Sequence, residues 1–440
     1  MSQSTPLVRM TSERRRWKRP RSPAGPHCRP LERRGSNRRR TFVTFRRVHV
    51  FRPHPRSPGW GVSIFTGAHI AGTTKTHQEI HQGLPGRCTG LRGCRQSSSM
   101  TPLVDIFGRR HTYLRISVTD RCNLRCVYCQ PDPSSRTGGA DAGPQTIALQ
   151  PREAMLTFDE IERVGRLFAR LGISKIRITG GEPLVRRDLP LLIARLARIP
   201  GIETLGMTTN GVDLARHARC LKDARLTHLN VSLDTLRPER FSQIALRSHL
   251  PDVLNGIEGA LAAGFSPLKL NVVVMEEVNG DELLDFVEFV RCRPINVRFI
   301  EYMPFESNRW NTASFLSFAK MKERIGSRHE LIPIDRRPET SDVAREFRID
   351  GWRGTVGFIA SMSEHFCDTC NRLRLRADGS LKSCLFHPAE VNLRGALRSG
   401  ASDAMLEEMI RAAVQEKPAG HASVEELLVA GNRTMIEIGG

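Results

Sequence analysis

Residues 113–129 read YLRISVTDRCNLRCVYC, a short strand pattern followed at once by three cysteines. Cys122, Cys126 and Cys129 lie within eight residues of one another and have polar or charged neighbours. Thiols so close together indicate a metal site, yet most tetrahedral metal sites take four protein ligands. The spacing therefore predicts a metal site that is one protein ligand short.

Further strand patterns follow this stretch, each separated from the next by a segment of helical length. The helix after the first strand is predicted to begin behind Thr157, which is followed by acidic residues, and to end at Gly172. Six strand–helix units imply a parallel sheet with right-handed crossovers. The six strand patterns are YLRISV, KIRIT, LGMTTN, HLNVSLD, KLNVVVM and NVRFIEYM.

The unusual residues all fall where a strand ends. The cysteines follow the first strand, GGEP (180–183) follows the second, and TTNG, SLD and EYMP end the third, fourth and sixth. Barrels of parallel strands build their active sites at this edge. Six units are too few to close an eightfold barrel. We therefore predict an α/β fold with a partial (βα)6 TIM-like barrel over residues 100–305 and a separate C-terminal region over residues 306–440.

The basic character of the chain is confined to its beginning. The net charge is +21, but residues 1–99 hold 21 basic and three acidic residues, whereas the other 341 hold 46 and 43. This leader has no apolar periodicity and is predicted to be disordered. It could be a nucleic-acid-binding tail, a targeting peptide or, as we favour, translated upstream sequence before an initiator at Met100. A chain beginning at Met100 is expected to keep full activity.

No apolar run reaches the ~18 residues that a membrane helix needs, and no signal-peptide pattern is present. We therefore expect a cytoplasmic protein that binds neither membranes nor nucleic acid. Eleven cysteines in such a chain favour metal or redox chemistry over a disulfide scaffold. Five of these cysteines show no usable pattern: Cys28, Cys88, Cys94, Cys220 and Cys292.

The first cysteine triad has three interpretations. Its sulfurs could be buried on one helix face, but the residues between them are polar. Zinc could bind, although local zinc sites usually come as two CxxC-type pairs. An iron–sulfur cube normally takes four thiolates, so three would leave one iron open to a small molecule. The third interpretation explains the missing ligand.

A second triad lies in CDTCNRLRLRADGSLKSC, residues 367–384. Zinc or a buried pair is again an alternative. Arginines alternate with leucines before the turn signal ADGS, so a hairpin would carry Cys384 back to Cys367 and Cys370 and place Arg372, Arg374 and Arg376 on one face. This pattern indicates a second open cluster beside an anion. No GxxxxGK[ST] loop is present, so a triphosphate would need basic side chains, to which Arg115, Arg177 and Lys269 could contribute.

The CxxxCxxC motif, with Tyr128 before its last cysteine and GGEP after the next strand, resembles that of the radical S-adenosylmethionine enzymes. In that family the amino and carboxylate groups of S-adenosylmethionine chelate the open iron, and one electron cleaves the sulfonium to give a 5′-deoxyadenosyl radical. Together with FIEYMP, CDTCNRLRL and the terminal Gly-Gly, the motifs after Met100 are similar to those of one branch, the GTP 3′,8-cyclases of molybdenum-cofactor biosynthesis.

This resemblance implies a function and a set of site residues. The radical takes the C3′ hydrogen of GTP, C3′ adds to C8 of the guanine, and an electron and a proton complete (8S)-3′,8-cyclo-7,8-dihydro-GTP. One [4Fe–4S] cluster is implied at Cys122, Cys126 and Cys129, and another, whose open iron meets the guanine, at Cys367, Cys370 and Cys384. Contacts to S-adenosylmethionine are implied for Tyr128, Gly181, Ser232 and Met303. Contacts to GTP are implied for Arg115, Arg177, Thr208, Lys269, Arg372, Leu373 and Arg374, with Leu373 contributing its backbone. The tail residues Gly439 and Gly440 are implied to reach the active site.

The implied partners are GTP, S-adenosylmethionine, a one-electron donor and the enzyme that forms cyclic pyranopterin monophosphate, and a homodimer is compatible with the resemblance. One rival is another radical S-adenosylmethionine enzyme whose auxiliary cluster serves a peptide substrate, although such proteins usually carry more auxiliary cysteines. A second rival is an iron–sulfur or zinc protein that binds nucleic acid through its leader. This second rival does not explain the GGEP motif.

Overall fold

The computed structural model describes residues 102–130, 149–306, 308, 310–335, 343–429 and 433–439. The predicted leader over residues 1–99, together with Met100 and Gly440, lies outside the described residues. Within the described ranges, every helix is too short or too polar to cross a membrane.

All six predicted strands are present, and they pair in chain order as parallel neighbours. The partial α/β barrel predicted from the alternation of strands and helices is therefore confirmed. The strands are β1 (Tyr113–Ser117), β2 (Lys175–Thr179), β3 (Thr204–Thr209), β4 (His228–Ser232), β5 (Leu268–Val274) and β6 (Ile295–Glu301).

Helices connect these strands. The first begins as its sequence predicts, because Thr157 and Glu160 form a reciprocal capping box, and the chain leaves it through Gly172 at a φ of 94°. The helices of this part are α1 (Phe158–Arg170), α2 (Leu189–Leu196), α3 (Leu214–Asp223), α4 (Pro238–Ala245), α5 (Leu250–Ala262), α6 (Glu276–Asn279) and α7 (Leu283–Val290).

The C-terminal part adds strands to both edges of the same sheet. Its strands are β7 (Ile332–Pro333), β8 (Arg345–Arg348), β9 (Thr355–Ile359), β10 (Arg372–Leu375), β11 (Ser380–Lys382) and β12 (Val391–Asn392). Its helices are α8 (Phe318–Gly326), α9 (Leu393–Arg398), α10 (Asp403–Gln415), α11 (Val424–Val429) and α12 (Met435–Ile438).

The sheet order is β12-β11-β10-β1-β2-β3-β4-β5-β6-β9-β8-β7. Strand β10 pairs parallel to β1 and β9 pairs parallel to β6, so eight neighbouring strands run in one direction. The predicted change of architecture near residue 306 is thus a change in connectivity within one continuous sheet. The boundary predicted between residues 305 and 306 stays a prediction.

The two faces of the sheet differ in chemistry. Leu114 and Ile116 of β1 and Ile176 and Ile178 of β2 are fully buried in the main apolar core, which also contains the inner faces of the helices. The alternate residues of the same strands face the other way and include Arg115 and Arg177. This polar inner face is unusual for a barrel interior, which apolar side chains normally fill, and it forms the wall of the site described next.

Candidate active site

A cavity of about 330 Å³ opens on the inner face, mainly at the C-terminal ends of the parallel strands. The residues that the resemblance implies for the clusters, S-adenosylmethionine and GTP, from Arg115 to Cys384, are all described, and all but two of them line this cavity. The lining includes both triads, Cys122, Cys126, Cys129, Cys367, Cys370 and Cys384. It also includes Tyr128, Gly181, Ser232, Met303, Arg115, Arg177, Thr208, Arg372 and Arg374.

The two predicted residues that do not line the cavity are Lys269 and Leu373. Lys269 lies on the same face of β5 as the lining residues Asn271 and Val273 but one side-chain repeat, about 6.5 Å, nearer the start of the strand. Leu373 is fully buried in the apolar core on the opposite face of β10 from Arg372 and Arg374. Its side chain thus serves packing, and the implied contact of its backbone with GTP stays a prediction.

Close backbone packing holds the loop that carries the first triad. The N–H of Gly181 donates to the carbonyl of Thr119 at 2.7 Å. A Cβ added at Gly181 would lie 2.4 Å from the carbonyl oxygen of Arg121, so any larger residue would push the two loops apart. The glycines of GGEP are therefore required by the approach of the cysteine loop to the end of β2.

Glu182 of GGEP joins two strand ends beneath the first triad. Its buried carboxylate accepts from the hydroxyl of Thr209 at 2.7 Å and from the N–H of Asn210 at 2.6 Å. Asn210 in turn donates to Asn123 at 2.7 Å, and its Nδ2 lies 3.7 Å from the Cys122 sulfur. Burial raises the pKa of Glu182 to about 7. Sequence reasoning marked GGEP and TTNG as motifs but did not single out these two side chains.

The thiols of the first triad are chemically suited to an iron–sulfur cluster. Burial raises the pKa of Cys122 to about 11 and that of Cys129 to about 12, and the pKa of Cys126 rises as well. Neighbouring thiols and Asp234 add to this rise. Ionisation therefore requires positive charge at the site, which iron supplies. Within the described ranges, no three such side chains converge on a single-ion site; a cube binds each thiolate to a different iron and needs no such convergence.

Tyr128 is oriented by a carboxylate that sequence reasoning did not name as a site residue. The phenol donates to Oδ2 of Asp234 at 2.7 Å, and Oδ1 of Asp234 accepts from the N–H of Val273 at 2.9 Å. Burial raises the pKa of Asp234 to about 6. The signal for this residue was the SLD motif at the end of β4.

The second triad lies on the predicted hairpin. Strands β10 and β11 are antiparallel, with Arg374 opposite Lys382, and the returning chain brings Cys384 to the same cavity as Cys367 and Cys370. The ammonium group of Lys417 lies 3.5 Å from the Cys370 sulfur. Burial raises the pKa of the Cys370 thiol, but the positive charges of Lys417 and Arg372 outweigh this effect and lower the pKa below its usual value. No sequence pattern pointed to Lys417.

The predicted row of three arginines is only partly correct. Arg372 and Arg374 line the cavity, but Arg376 does not. Strand β10 ends at Leu375, and the guanidinium of Arg376 donates to Glu390 at 2.6 Å and to the carbonyl of Glu437 at 2.7 Å. Arg376 therefore ties the C-terminal segment to the sheet.

Five arginines line the cavity: Arg115, Arg177, Arg298, Arg372 and Arg374. Among the described lining residues Asp234 supplies the one carboxylate. Burial lowers the pKa of Arg115 to about 10 and that of Arg374 to about 9, and repulsion from neighbouring guanidinium groups contributes to both shifts. A bound polyanion would relieve this crowding of buried positive charge. Sequence reasoning missed Arg298, although it lies within the NVRFIEYM strand.

The cavity wall also contains buried side-chain oxygens. Within the part of the chain that the structure describes, the side-chain oxygens of Thr179, Asn230 and Asn271 are buried without a hydrogen-bond partner. All three residues line the cavity. Buried polar atoms are rarely left unsatisfied, so these oxygens indicate a polar ligand on strands β2, β4 and β5.

The C-terminal end of the chain approaches the site. Gly439 caps α12 with a φ of 88°, and a Cβ added there would lie 2.6 Å from Cβ of Ser117 at the end of β1. Both the positive φ and this contact exclude a larger residue. Met435 of α12 lines the cavity. The predicted contribution of Gly440 lies outside the described residues.

Glu301 of the EYMP motif attaches the C-terminal part to the barrel. Its fully buried carboxylate accepts from the backbone N–H groups of Met362 at 2.7 Å, Ser363 at 2.9 Å and Phe318 at 2.8 Å. The segment leading to the second triad is thereby fixed to the end of β6.

Comparison with known proteins identifies the family. Residues 116–290 match the Radical SAM superfamily, and residues 295–423 match Molybdenum Cofactor Synthesis C. The chain is also similar to solved structures such as that of Streptococcus suis SuiB, with 13% identity, a TM-score of 0.47, and coverage of 75% of this chain and 77% of that one.

Curated relatives are much more similar in sequence. The mitochondrial GTP 3′,8-cyclase of Arabidopsis thaliana is 46% identical over 77% of this chain and 83% of its own length. The GTP 3′,8-cyclase of Moorella thermoacetica is 44% identical over 72% of this chain and 94% of its own length. Molybdenum cofactor biosynthesis protein 1 of Homo sapiens is 46% identical over 76% of this chain. The chain spans about half the length of that relative, 51%.

The two family models cover the barrel and the C-terminal part in turn, and the relatives match across both. The chain belongs to the GTP 3′,8-cyclase family of radical S-adenosylmethionine enzymes.

Proposed function

We propose that this chain converts GTP to (8S)-3′,8-cyclo-7,8-dihydro-GTP, the first step of molybdopterin biosynthesis, within the single cavity described above. The observation that carries the proposal is that both cysteine triads and five arginines, of which Arg177, Arg298 and Arg374 are buried, line one cavity. One triad can serve radical generation and the other can hold the base, while the arginines suit a triphosphate between them.

Cys122, Cys126 and Cys129 would hold the cluster that binds S-adenosylmethionine and, when loaded, supplies the 5′-deoxyadenosyl radical. Tyr128, Gly181, Ser232 and Met303 would hold the cofactor against that triad. Arg115, Arg177, Thr208, Lys269, Arg372, Arg374 and the backbone of Leu373 would hold GTP, and the side-chain oxygens of Asn230 and Asn271 would add polar contacts. The role of these residues is to place C3′ next to the radical and to exclude water and stray hydrogen donors.

The metal content tests the two-cluster arrangement. Anaerobic reconstitution with iron and sulfide is expected to load about eight irons per chain, since each cube holds four. The measurement is iron and acid-labile sulfide per protein, followed by a product assay with GTP. Zinc as the main metal, or only four irons, would contradict the proposal.

Tyr113 is expected to make GTP binding pH-dependent. Its phenol accepts from Nε of Arg177 at 2.7 Å and lies in the cavity wall. Burial raises the pKa of the Tyr113 phenol, but four nearby positive charges outweigh this effect and lower the pKa to about 7. These charges belong to Arg177, Arg115, Arg372 and Lys175. Below that pH the phenol is neutral. Above it the phenolate competes with the triphosphate for the same cations, so binding requires uptake of a proton and weakens by up to about tenfold per pH unit.

Tyr113→Phe removes this titration and is the test variant. Equilibrium GTP binding measured from pH 7 to pH 9 should weaken with pH in the wild type and should not weaken in the variant. Equal slopes in the two proteins would show that Tyr113 does not titrate in this range. Ionisation of the γ-phosphate acts in the opposite direction, because it strengthens binding as the pH rises.

The remaining partners belong to the proposal as well. They are a one-electron donor, the enzyme that forms cyclic pyranopterin monophosphate and, for the assembly, a homodimer. A cytoplasmic location is also proposed, whereas the name of the Arabidopsis relative places that protein in mitochondria. Cell fractionation tests the location, and light scattering tests the dimer.

A further inference from the structure

Arg109 connects three distant parts of the chain next to the second triad. It lies in the loop before β1 and is 8% exposed. Its Nη1 donates to the carbonyls of Cys367 at 2.9 Å and Ala419 at 2.7 Å, and its Nη2 donates to the carbonyl of Pro418 at 2.7 Å. One guanidinium therefore holds the turn that carries Cys367 against a segment near the end of the chain.

Asp105 fixes the orientation of that guanidinium. Its fully buried carboxylate accepts from Nε of Arg109 at 2.6 Å and from the backbone N–H groups of Phe107 and Arg109 at 3.0 and 2.9 Å. Because the guanidinium is planar, holding Nε in this way also fixes the direction of Nη1 and Nη2. The loop 105–109 is thus preorganised to bind carbonyl oxygens.

The segment that Arg109 holds, residues 417–421, covers the second triad. Lys417 donates to the carbonyls of Cys370 at 3.2 Å and Arg372 at 2.9 Å. Gly420 packs on the Cys367 side chain, since a Cβ added there would lie 4.0 Å from its sulfur. This segment therefore contacts two of the three cysteines of the second triad, Cys367 and Cys370.

We propose that Arg109 is a positioning residue for the second cluster, which it acts on by locking the 417–421 segment over Cys367 and Cys370. The inference rests on the proposed presence of a cluster at that triad. Without the guanidinium, three backbone carbonyls lose their donor and the segment can move away from the thiols. The first triad belongs to a different loop and is independent of this contact.

The test compares Arg109→Met with Arg163→Met in the full-length reconstituted enzyme. Arg163 is a suitable control, because it also links the barrel to the C-terminal part, through Asp403 and the carbonyl of Ala401, but neither of these partners lines the cavity, whereas Cys367 does. Iron release to a chelator is followed over time, and electron paramagnetic resonance of the reduced protein reports each cluster through its response to S-adenosylmethionine or GTP.

In Arg109→Met the second cluster should be lost about tenfold or more faster than in the wild type, while the signal that responds to S-adenosylmethionine is retained. Arg109→Lys should be intermediate, since an ammonium keeps the charge but not the planar fork. Arg163→Met should match the wild type.

Equal loss rates in Arg109→Met and the wild type would overturn the inference, as would equal loss of both clusters or failure of both Arg109 variants to fold. The same loss in Arg163→Met would overturn it too, because the effect would then be general. A wild type that binds only four irons would overturn the proposed function and this inference with it, whereas eight irons with unchanged kinetics would overturn the inference alone.

Discussion

Cys122→Ala is expected to abolish 5′-deoxyadenosine formation, whereas Cys384→Ala is expected to abolish only the cyclic product. Loss of a ligand from the first triad leaves that cube incomplete, so no radical can be generated. In Cys384→Ala the first triad is intact, and slow uncoupled cleavage of S-adenosylmethionine should persist. GTP would lose the iron that anchors its base, so C8 would not be held near C3′.

Anaerobic chromatography of 5′-deoxyadenosine and of the cyclic nucleotide for each variant measures both outcomes. Cys220→Ala is a suitable control, since Cys220 is an exposed free thiol on α3 and does not line the cavity. It should keep both products at wild-type rates. If Cys384→Ala made cyclic product at the wild-type rate, the second triad would not be a substrate site, and the cyclase function would have to be withdrawn in favour of the wider family.

Replacing Arg372 and Arg374 together with alanine is expected to weaken GTP binding by roughly 10²-fold or more, because each buried charge-assisted hydrogen bond contributes about 1.5–3 kcal/mol. Both side chains line the cavity beside the second triad. Reductive cleavage of S-adenosylmethionine should remain possible, since the first triad is untouched. Equilibrium binding of GTP and the yield of 5′-deoxyadenosine measure the two effects separately.

Arg348→Ala provides the control for this double variant. Arg348 lies on β8, one strand from the edge of the sheet, where it pairs with Asp350 and does not line the cavity. The control should bind GTP as the wild type does. Normal GTP binding by the Arg372 and Arg374 double variant would mean that these arginines serve the structure of the hairpin and not the substrate.

Local patterns in the sequence were sufficient to predict the six strands of the barrel and the first helix. The strand predicted from KIRIT matches β2 residue for residue, and the capping box at Thr157 sets the start of α1. These features depend on residues a few positions apart, namely the alternation of side chains, an N-cap and a turn signal. The hairpin from Arg372 to Cys384 was predictable for the same reason.

Position within the cavity was decided by the tertiary structure. Lys269 lies on the predicted face of β5 but nearer the start of the strand than the residues that line the cavity, because a period of two specifies a face and not a depth along the barrel. Arg376 continues the alternation of arginines, yet β10 has already ended and Glu390 pairs with it. The spacing of residues in the sequence does not predict either of these positions.

The contacts around the second triad were also beyond sequence reasoning. Arg109 is separated from Cys367 by 258 residues and from Ala419 by 310, and Lys417 reaches Cys370 across 47. Such contacts form only when the C-terminal part adds β10 beside β1 and folds back over it. Most of their acceptors are backbone carbonyls, which every residue possesses. Because every residue has a carbonyl, the sequence does not indicate which carbonyls accept hydrogen bonds from Arg109 and Lys417. Only the folded structure shows this.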